Sequence, residues 1–381
     1  MVKIVVSAFI GSENIGDEAI FESVINSIKN TIESPEIYAI SINPEKTRRL
    51  YKVNTIYSMD VIETIKRIKG CDVLVLGGGG IIQEETSKFS VFHHLYKGLI
   101  GLKFKKSIFL YGVGVSPIKN RFNKTIVRKI CNHAEKVTVR DIESKEELIK
   151  VGVKEDKILV TADPAVNLKP VSKKEIANIL SKEKIILEKK LIGLTLRHPI
   201  KNRFIVPTKL SENINSSKEK IFLNKMSDLI TYLNKEYDAN FLFVPFWRTR
   251  EIEIYKTLKK NIDDNYLNLI IKEYKPTEIL GMFQFFDIFL GMRLHSLIFS
   301  AIAKKPMLGV SYSKKIDNFL KRIYMQEFSI PYEFNYDSIC SKIKNLISEK
   351  ENIEKKIEKN FSHLKKLEKE NIKILKEIIE S

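Results

Sequence analysis

The sequence predicts an α/β protein built from two Rossmann-like domains, and three observations carry that expectation. Short β-branched runs alternate with segments of helical period, the pattern of parallel strands joined by crossover helices. The series occurs twice, interrupted between Asn167 and Lys190 by a lysine-rich stretch without apolar runs. The 381 residues exceed the usual size of one domain and allow each half its own core.

In the first series the strand candidates are 2–8, 37–42, 73–76, 107–111, 136–139 and 158–161, several of them ending in glycine or another small residue. A first domain is therefore placed at 1–168, with 169–190, which contains Pro170, as linker. The second series has strands at 191–196, 240–245, 267–271, 288–290 and 306–311, and helices at 218–237, 250–261, 276–283, 294–304 and 315–324. These define a second domain at 191–335. Residues 336–381 are charged and helical in period, with Ile343, Leu346, Ile353, Ile357, Leu364 and Leu375 among the apolar positions at three- and four-residue spacing. Such a stripe packs against something. A terminal helix or helix pair laid on the body is expected, with a short coiled-coil contact to a partner as the alternative.

Charge and composition narrow the partners. The net charge of +18, from 65 Lys and Arg against 47 Asp and Glu, suits anionic ligands, nucleic acid or an anionic membrane. The lysines are scattered, however, with no arginine-rich block or aromatic-interleaved strip, so no nucleic acid is expected. Cys71, Cys131 and Cys340 lie far apart without metal-ligand spacing, which points to a reducing cytoplasm and to no metal site. The first ten residues read as a strand rather than a signal peptide. The longest apolar tract, 285–303, is broken by Asp287, Arg293 and His295, so no membrane span is expected.

The chemistry concentrates at strand ends. Gly291-Met292-Arg293-Leu294-His295-Ser296 follows the run 285–290, placing a guanidinium and an imidazole where open α/β sheets bind ligands. Arginine grips carboxylates and phosphates bidentately and histidine can pass a proton, so the pair points to chemistry on an anion. Lys314 and Lys315 follow the next strand. A lysine there can hold phosphate as a point charge, and adjacent lysines in this chain can equally be solvated.

In the first domain, Gly11-Ser12-Glu13-Asn14-Ile15-Gly16-Asp17-Glu18-Ala19 opens the first helix; it is neither a dinucleotide nor a Walker loop, and Asp17 can serve as the helix cap. Gly77, Gly78, Gly79 and Gly80 follow a strand, and four bare positions in a row point to close approach of a ligand. Gly112-Val113-Gly114 repeats the arrangement one strand later. Arg140-Asp141 and Asp163-Pro164-Ala165 end the next two strands, and Arg140 can either pair with those carboxylates or bind ligand. His93, His94, His133 and His363 read as surface or packed side chains.

Taken together and in order, these motifs resemble the polysaccharide pyruvyl transferases, including the CsaB-like enzymes. The resemblance covers roughly residues 1 to 325 and extends through Gly309-Val310-Ser311-Tyr312-Ser313-Lys314-Lys315-Ile316, in which Lys315 matches the family's lysine. It implies a GT-B-like fold, two Rossmann-like domains with an interdomain cleft plus the C-terminal helical extension. It further implies phosphoenolpyruvate as donor substrate, no cofactor, and an acceptor sugar in a cell-surface glycan or its lipid- or nucleotide-linked precursor, pyruvylated as a ketal. On this resemblance Arg140 and Arg293 hold the donor's carboxylate and phosphate, Lys315 offsets charge on the departing phosphate, Gly291 belongs to the substrate-binding residues, and His295, with Arg293 the catalytic pair, transfers the proton. Asn14, Asp17, the glycines 77–80, Gly112, Gly114 and Asp163 line the acceptor side, in the first domain. The implied location is the cytoplasm, with peripheral contact to the anionic inner leaflet, and a homo-oligomer is compatible with it. One departure is the stretch Phe246-Trp247-Arg248-Thr249-Arg250-Glu251, more basic and aromatic than the family's acidic loop, in which Trp247 can stack on a sugar ring or base. Two other readings are a glycosyltransferase with a nucleotide-sugar donor, for which no acidic residue stands out beside 291–295, and a non-catalytic glycan-assembly or nucleic-acid-binding protein.

Overall fold

Both β-branched series fold into wholly parallel sheets. The computed structural model describes residues 1–85, 87, 89–198, 217–262 and 265–381. Among these, one unit comprises Met1–Leu168 with His363–Ser381, and the second runs from Lys169 to Ser362.

The first unit contains β1 (Lys3–Ile10), α1 (Ile15–Thr31), β2 (Glu36–Ser41), α2 (Pro44–Tyr51), β3 (Asn54–Tyr57), α3 (Val61–Gly70) and β4 (Val73–Ile82). It continues with α4 (Ser90–Lys103), β5 (Ser107–Val115), α5 (Arg121–His133), β6 (Lys136–Val139), α6 (Ile142–Val151) and β7 (Ile158–Val160). The strand order is β3-β2-β1-β4-β5-β6-β7. The chain thus winds outward one way from β1, crosses back, and winds outward the other way from β4. The reversal between β1 and β4 is where such sheets open a crevice at their carboxyl edge.

The second unit contains α7 (Lys173–Lys182), β8 (Lys190–Thr195), α8 (Ser217–Tyr237), β9 (Ala239–Phe243), α9 (Arg248–Asn261), β10 (Leu267–Leu269) and α10 (Pro276–Met282). Then come β11 (Ile288–Gly291), α11 (Leu294–Ile302), β12 (Met307–Ser311), α12 (Lys314–Arg322), β13 (Ser329–Pro331), α13 (Tyr336–Ser348) and α14 (Lys350–Glu380). Its sheet, β10-β9-β8-β11-β12-β13, reverses between β8 and β11. Central strands on both sheets are almost wholly apolar, Asn240 of β9 being an exception, because helices cover both faces. In the second unit Phe246, Phe283, Phe286 and Phe299 pack edge to face, and Phe289 of β11 joins this aromatic core tilted against Phe283 and stacked on Phe286.

Several elements differ from the sequence expectation. The edge strands β3 and β13 carry no strong apolar run, being four and three residues long and only partly buried. The stretch 169–190 holds α7, whose N-cap Ser172 accepts from the Glu175 N–H and whose Ile176 and Leu180 are buried. The tail is a helix pair. Residues of α14 up to Ser362 belong to the second unit, and from His363 onward to the first. There buried Glu368 accepts the Tyr111 hydroxyl at 3.2 Å and the Asn167 amide, while Thr161 donates to Asn371 at 2.9 Å. Burial pushes the Glu368 carboxyl above its ordinary range despite these bonds.

Candidate active site

At the β8/β11 switch point the register fixes which side chains emerge side by side. Gly291 pairs with Thr195, and the Met292 N–H donates to the Thr195 carbonyl at 2.9 Å. Two residues further on, the neighbouring strands deliver Arg293 and Arg197 to the same edge. Gly291 leaves no room for a side chain, since a Cβ there would stand 2.8 Å from the Ser296 hydroxyl. That hydroxyl donates to the Arg293 carbonyl at 2.7 Å and tightens the turn into α11. Arg293 is the N-cap residue of α11 and provides no side-chain cap, so its guanidinium is directed elsewhere.

It meets Glu251. Oε1 of this fully buried carboxylate accepts Nε of Arg293 at 2.6 Å and also meets Nη2, so the guanidinium is held side-on by a single oxygen. Oε2 accepts the backbone N–H groups of Phe246 at 2.7 Å and Trp247 at 3.2 Å. Every lone-pair direction of Glu251 is therefore used, and Arg293 is held with its Nη1 edge as the part turned away from Glu251. Trp247 stands beside it, its ring 5.8 Å from the Arg293 guanidinium and 3.7 Å from that of Arg250. The stretch 246–251, basic and aromatic by sequence, therefore delivers an acid to the Arg293 site after all. Nothing in the sequence pointed to Glu251, because its partner lies 42 positions away and in another strand-helix unit.

His295 lies in the first turn of α11, half-buried. Arg197, which the sequence reading passed over although it follows a buried strand just as Arg293 does, donates from Nη1 to the Tyr312 hydroxyl at 2.7 Å. Its guanidinium also lies 4.2 Å from the Tyr312 ring. Lys314 is exposed at the start of α12, whereas Lys315 is half-buried. Asp317 in the same turn is occupied by the hydroxyls of Ser311 and Ser329. The edge of the second unit is thus rich in cations that emerge from β8, β11 and β12, with one fully committed carboxylate from α9.

The first unit builds its edge differently. Asn14 is the N-cap of α1, its Oδ1 accepting the Gly16 N–H at 3.1 Å and its amide donating to Asp17 at 2.6 Å. Asp17 is thereby not the cap. Its Oδ1 lies over Gly79, 3.2 Å from where a Cβ would be. Glu18, unnoticed in the sequence, is buried and accepts the N–H groups of Gly11 at 2.6 Å and Ser12 at 3.2 Å and the Tyr51 hydroxyl at 2.8 Å. Burial raises its pKa, against those hydrogen bonds.

The two glycine motifs are not loops; they lie within β4 and β5, at register shifts that mark irregular pairing. Packing explains part of the glycine run. Gly78 has φ +77°, and a Cβ on it would stand 2.0 Å from Ile20 of α1, while Gly77 faces Val113 at 2.7 Å. Gly80, by contrast, has nothing within 4 Å of its Cβ position. Gly112 donates its N–H to Thr138 at 2.7 Å and lies against Pro164. At Gly114 a Cβ would come within 2.6 Å of the Arg140 guanidinium carbon. Arg140 itself is 5 % exposed and paired with Asp141 and Asp163, each at 3.2 Å. Both acids also order backbone, Asp141 by capping α6 through the Ser144 N–H at 2.8 Å and Asp163 by accepting the Ala165 N–H at 3.1 Å. The ion-pair alternative for Arg140 is thus realised geometrically. Among the described residues no group of three His, Cys, Asp or Glu side chains is placed to hold a metal ion, and no helix is long and apolar enough to cross a membrane.

Solved structures resemble the chain over its whole length. The UDP-GlcNAc 2-epimerase of Methanocaldococcus jannaschii superposes with a TM-score of 0.67 at 15 % identity, covering 98 % of this chain and 99 % of that one. S. aureus MnaA with UDP gives 0.64 at 13 %, covering 95 % and 92 %, and Anabaena Alr3699/HepE with UDP and glucose gives 0.63 at 10 %, covering all of both chains. At such identities the likeness is one of fold, and it is that of a two-domain GT-B-like α/β protein. No curated protein sequence matches the chain. The model of the family described as polysaccharide pyruvyl transferase matches residues 14–314, about four-fifths of the sequence, and the chain belongs to that family of transferases.

Proposed function

We propose that this pyruvyl transferase takes phosphoenolpyruvate as donor and forms a cyclic ketal on two hydroxyls of a sugar in a glycan or its lipid- or nucleotide-linked precursor. The observation that carries the proposal is Arg293, held side-on by a buried carboxylate at the β8/β11 switch point with Arg197, His295 and Lys315 on the same sheet's edge. A dianionic phosphate joined to a carboxylate is the ligand such a set of cations fits best.

The reaction needs a proton at the donor's methylene carbon, attack by a hydroxyl oxygen on the resulting cation, departure of phosphate with its C–O bond electrons, and ring closure by the second hydroxyl. Of the two hydroxyl protons released, one replaces the proton consumed in making the methyl group and the other leaves with phosphate. His295 supplies the proton and Arg293 holds the donor's anion, while Lys315 offsets charge on the departing phosphate. The first unit is assigned to the acceptor, through the Asp17 carboxylate and the open backbone at Gly80. Arg140 is fixed by its two acids. An Arg140→Lys variant that loses unfolding stability but keeps donor affinity assigns it to architecture, and one that loses donor affinity assigns it to the ligand.

A nucleotide-sugar donor would require a carboxylate for the ribose hydroxyls, and Glu251, the acid beside Arg293, has its oxygens committed. The reading includes peripheral contact with an anionic leaflet, where a lipid-linked acceptor would be met. Calorimetric titration of phosphoenolpyruvate into wild type and Arg293→Ala tests the donor, with UDP and a UDP-sugar as controls. Saturable binding lost in the variant is the expected result. Binding of the nucleotides alone would replace the reading with a glycosyltransferase.

A further inference from the structure

The helices α3, α4 and α5 form one continuous layer of the first unit, and two features meet on them. They carry nine lysines and arginines against a single acid, Glu63, whereas α1 and α6 together carry six acids against three bases. They also expose large apolar side chains at their N-terminal ends. Ile62 is 82 % exposed, Phe89 79 %, Met59 66 % and Phe122 61 %.

The three helix starts are neighbours. The rings of Phe122 and Phe92 lie 6.1 Å apart, those of Phe92 and Tyr96 6.3 Å, and the Tyr96 hydroxyl donates to the Ser58 carbonyl at 3.3 Å, in the turn that bears Met59 and leads into Val61 and Ile62. The patch therefore runs across the starts of all three helices. In a parallel sheet those starts lie at the carboxyl edge, the edge that carries Gly80. Single exposed apolar residues are ordinary, but a contiguous group of aromatic and aliphatic side chains marks an interaction surface.

We propose that this surface docks the protein on an anionic lipid bilayer, with Met59, Ile62, Phe89, Phe92 and Phe122 entering the interfacial region and the accessible cations of α5, Arg121, Lys124, Arg128 and Lys129, meeting lipid phosphates. The charge decides the occupant. A second copy pairing through the same face would bring exposed cations such as Arg121, Arg128 and Lys129 towards their own copies, so an isologous dimer is disfavoured. Phe89, Phe92 and Phe122 would give single-stranded nucleic acid rings to stack on, but the aliphatic Met59, Val61 and Ile62 beside them offer it nothing, whereas a bilayer interface takes both kinds of side chain. Exposed apolar side chains on helices with an excess of exposed cations are what an anionic membrane surface selects. The inference assigns a surface to the membrane contact proposed above and rests on no part of the transfer chemistry.

The test is sedimentation of the full chain with vesicles of phosphatidylcholine alone and with vesicles containing phosphatidylglycerol. Wild type is expected to co-sediment with the anionic vesicles only, and less as salt is raised. Ile62→Asp combined with Phe122→Asp should weaken this at least about tenfold. Lys124→Glu combined with Arg128→Glu should weaken it by about fivefold or more per site and flatten the salt dependence. All four positions are surface sites, so melting temperatures and phosphoenolpyruvate binding should match wild type, which separates a failure here from a failure of the donor assignment. Equal sedimentation with both vesicle types, or unchanged sedimentation of either double variant, would overturn the proposal. So would a lipid-free dimer that the apolar variant converts to monomer, since the face would then be a protein interface.

Discussion

The two sheets share the order 3-2-1-4-5-6 outward from the first strand, yet they furnish the same edge with different materials. In the first unit the edge is backbone, with glycines within β4 and β5, a buried carboxylate under the Gly11 turn, and a guanidinium locked between two acids. In the second it is side chain, with arginines, a histidine and a lysine emerging from three adjacent strands. A backbone edge that is open at Gly80 offers carbonyl and N–H groups, which suits a neutral polyhydroxylated ligand. A cationic edge suits a small anion. One topology thus supports two kinds of recognition, and substitutions on the two sides should be read on different instruments.

The largest effect is expected on the cationic edge. Arg293→Ala should lower turnover about 10²–10³-fold, as for loss of a group that stabilises developing charge, in an assay of phosphate release. Next comes Asp163→Ala, which strips a partner from a buried arginine. It should cost about 3–5 kcal/mol in urea unfolding, and an undiminished stability would show that the pair does not hold the first unit's edge. Gly78→Ala adds a Cβ against Ile20 at a positive φ and should cost about 1–3 kcal/mol.

A pH titration of stability separates the units further. Burial, with smaller contributions from His93 and Lys97, depresses His94 from 6.5 to about 3. The folded state therefore keeps His94 neutral while the unfolded chain takes up a proton, so stability is full above pH 6.5 and is lost as pH falls from there towards about 3. A His94→Phe variant should lack that part of the acid slope in circular-dichroism melts, and an unchanged slope would place the titration elsewhere. The smallest effect on stability is expected at Gly80→Ala, within about 0.5 kcal/mol. If the acceptor approaches this open backbone, acceptor KM should rise nonetheless.

The fold was largely legible because buried parallel strands write themselves as β-branched runs. What escaped had physical reasons. The edge strands β3 and β13 bury one face at most and need no such run. Glycines 77–80 read as a loop because glycine disfavours strands, whereas here irregular pairing and the approach of Ile20 demand it within one. At the site, Arg293 and His295 could be found from their place after a strand, and Arg197 could have been by the same rule. Glu251 could not, because only the parallel register of β9, β8 and β11 brings its helix to Arg293. Nor could sequence decide between ion pair and ligand for Arg140, since the contact with Gly114 exists only after β5 and β6 are aligned.

The most direct test of the cationic-edge account is calorimetric titration of phosphoenolpyruvate into wild type and Arg293→Lys. Lysine keeps a positive charge beside Glu251 but cannot pair with it side-on and still present a second edge. The account predicts saturable binding to wild type and at least about tenfold weaker binding to the variant, with melting temperatures that agree within a few degrees. Equal affinity of the two proteins, or no binding to wild type, would contradict it.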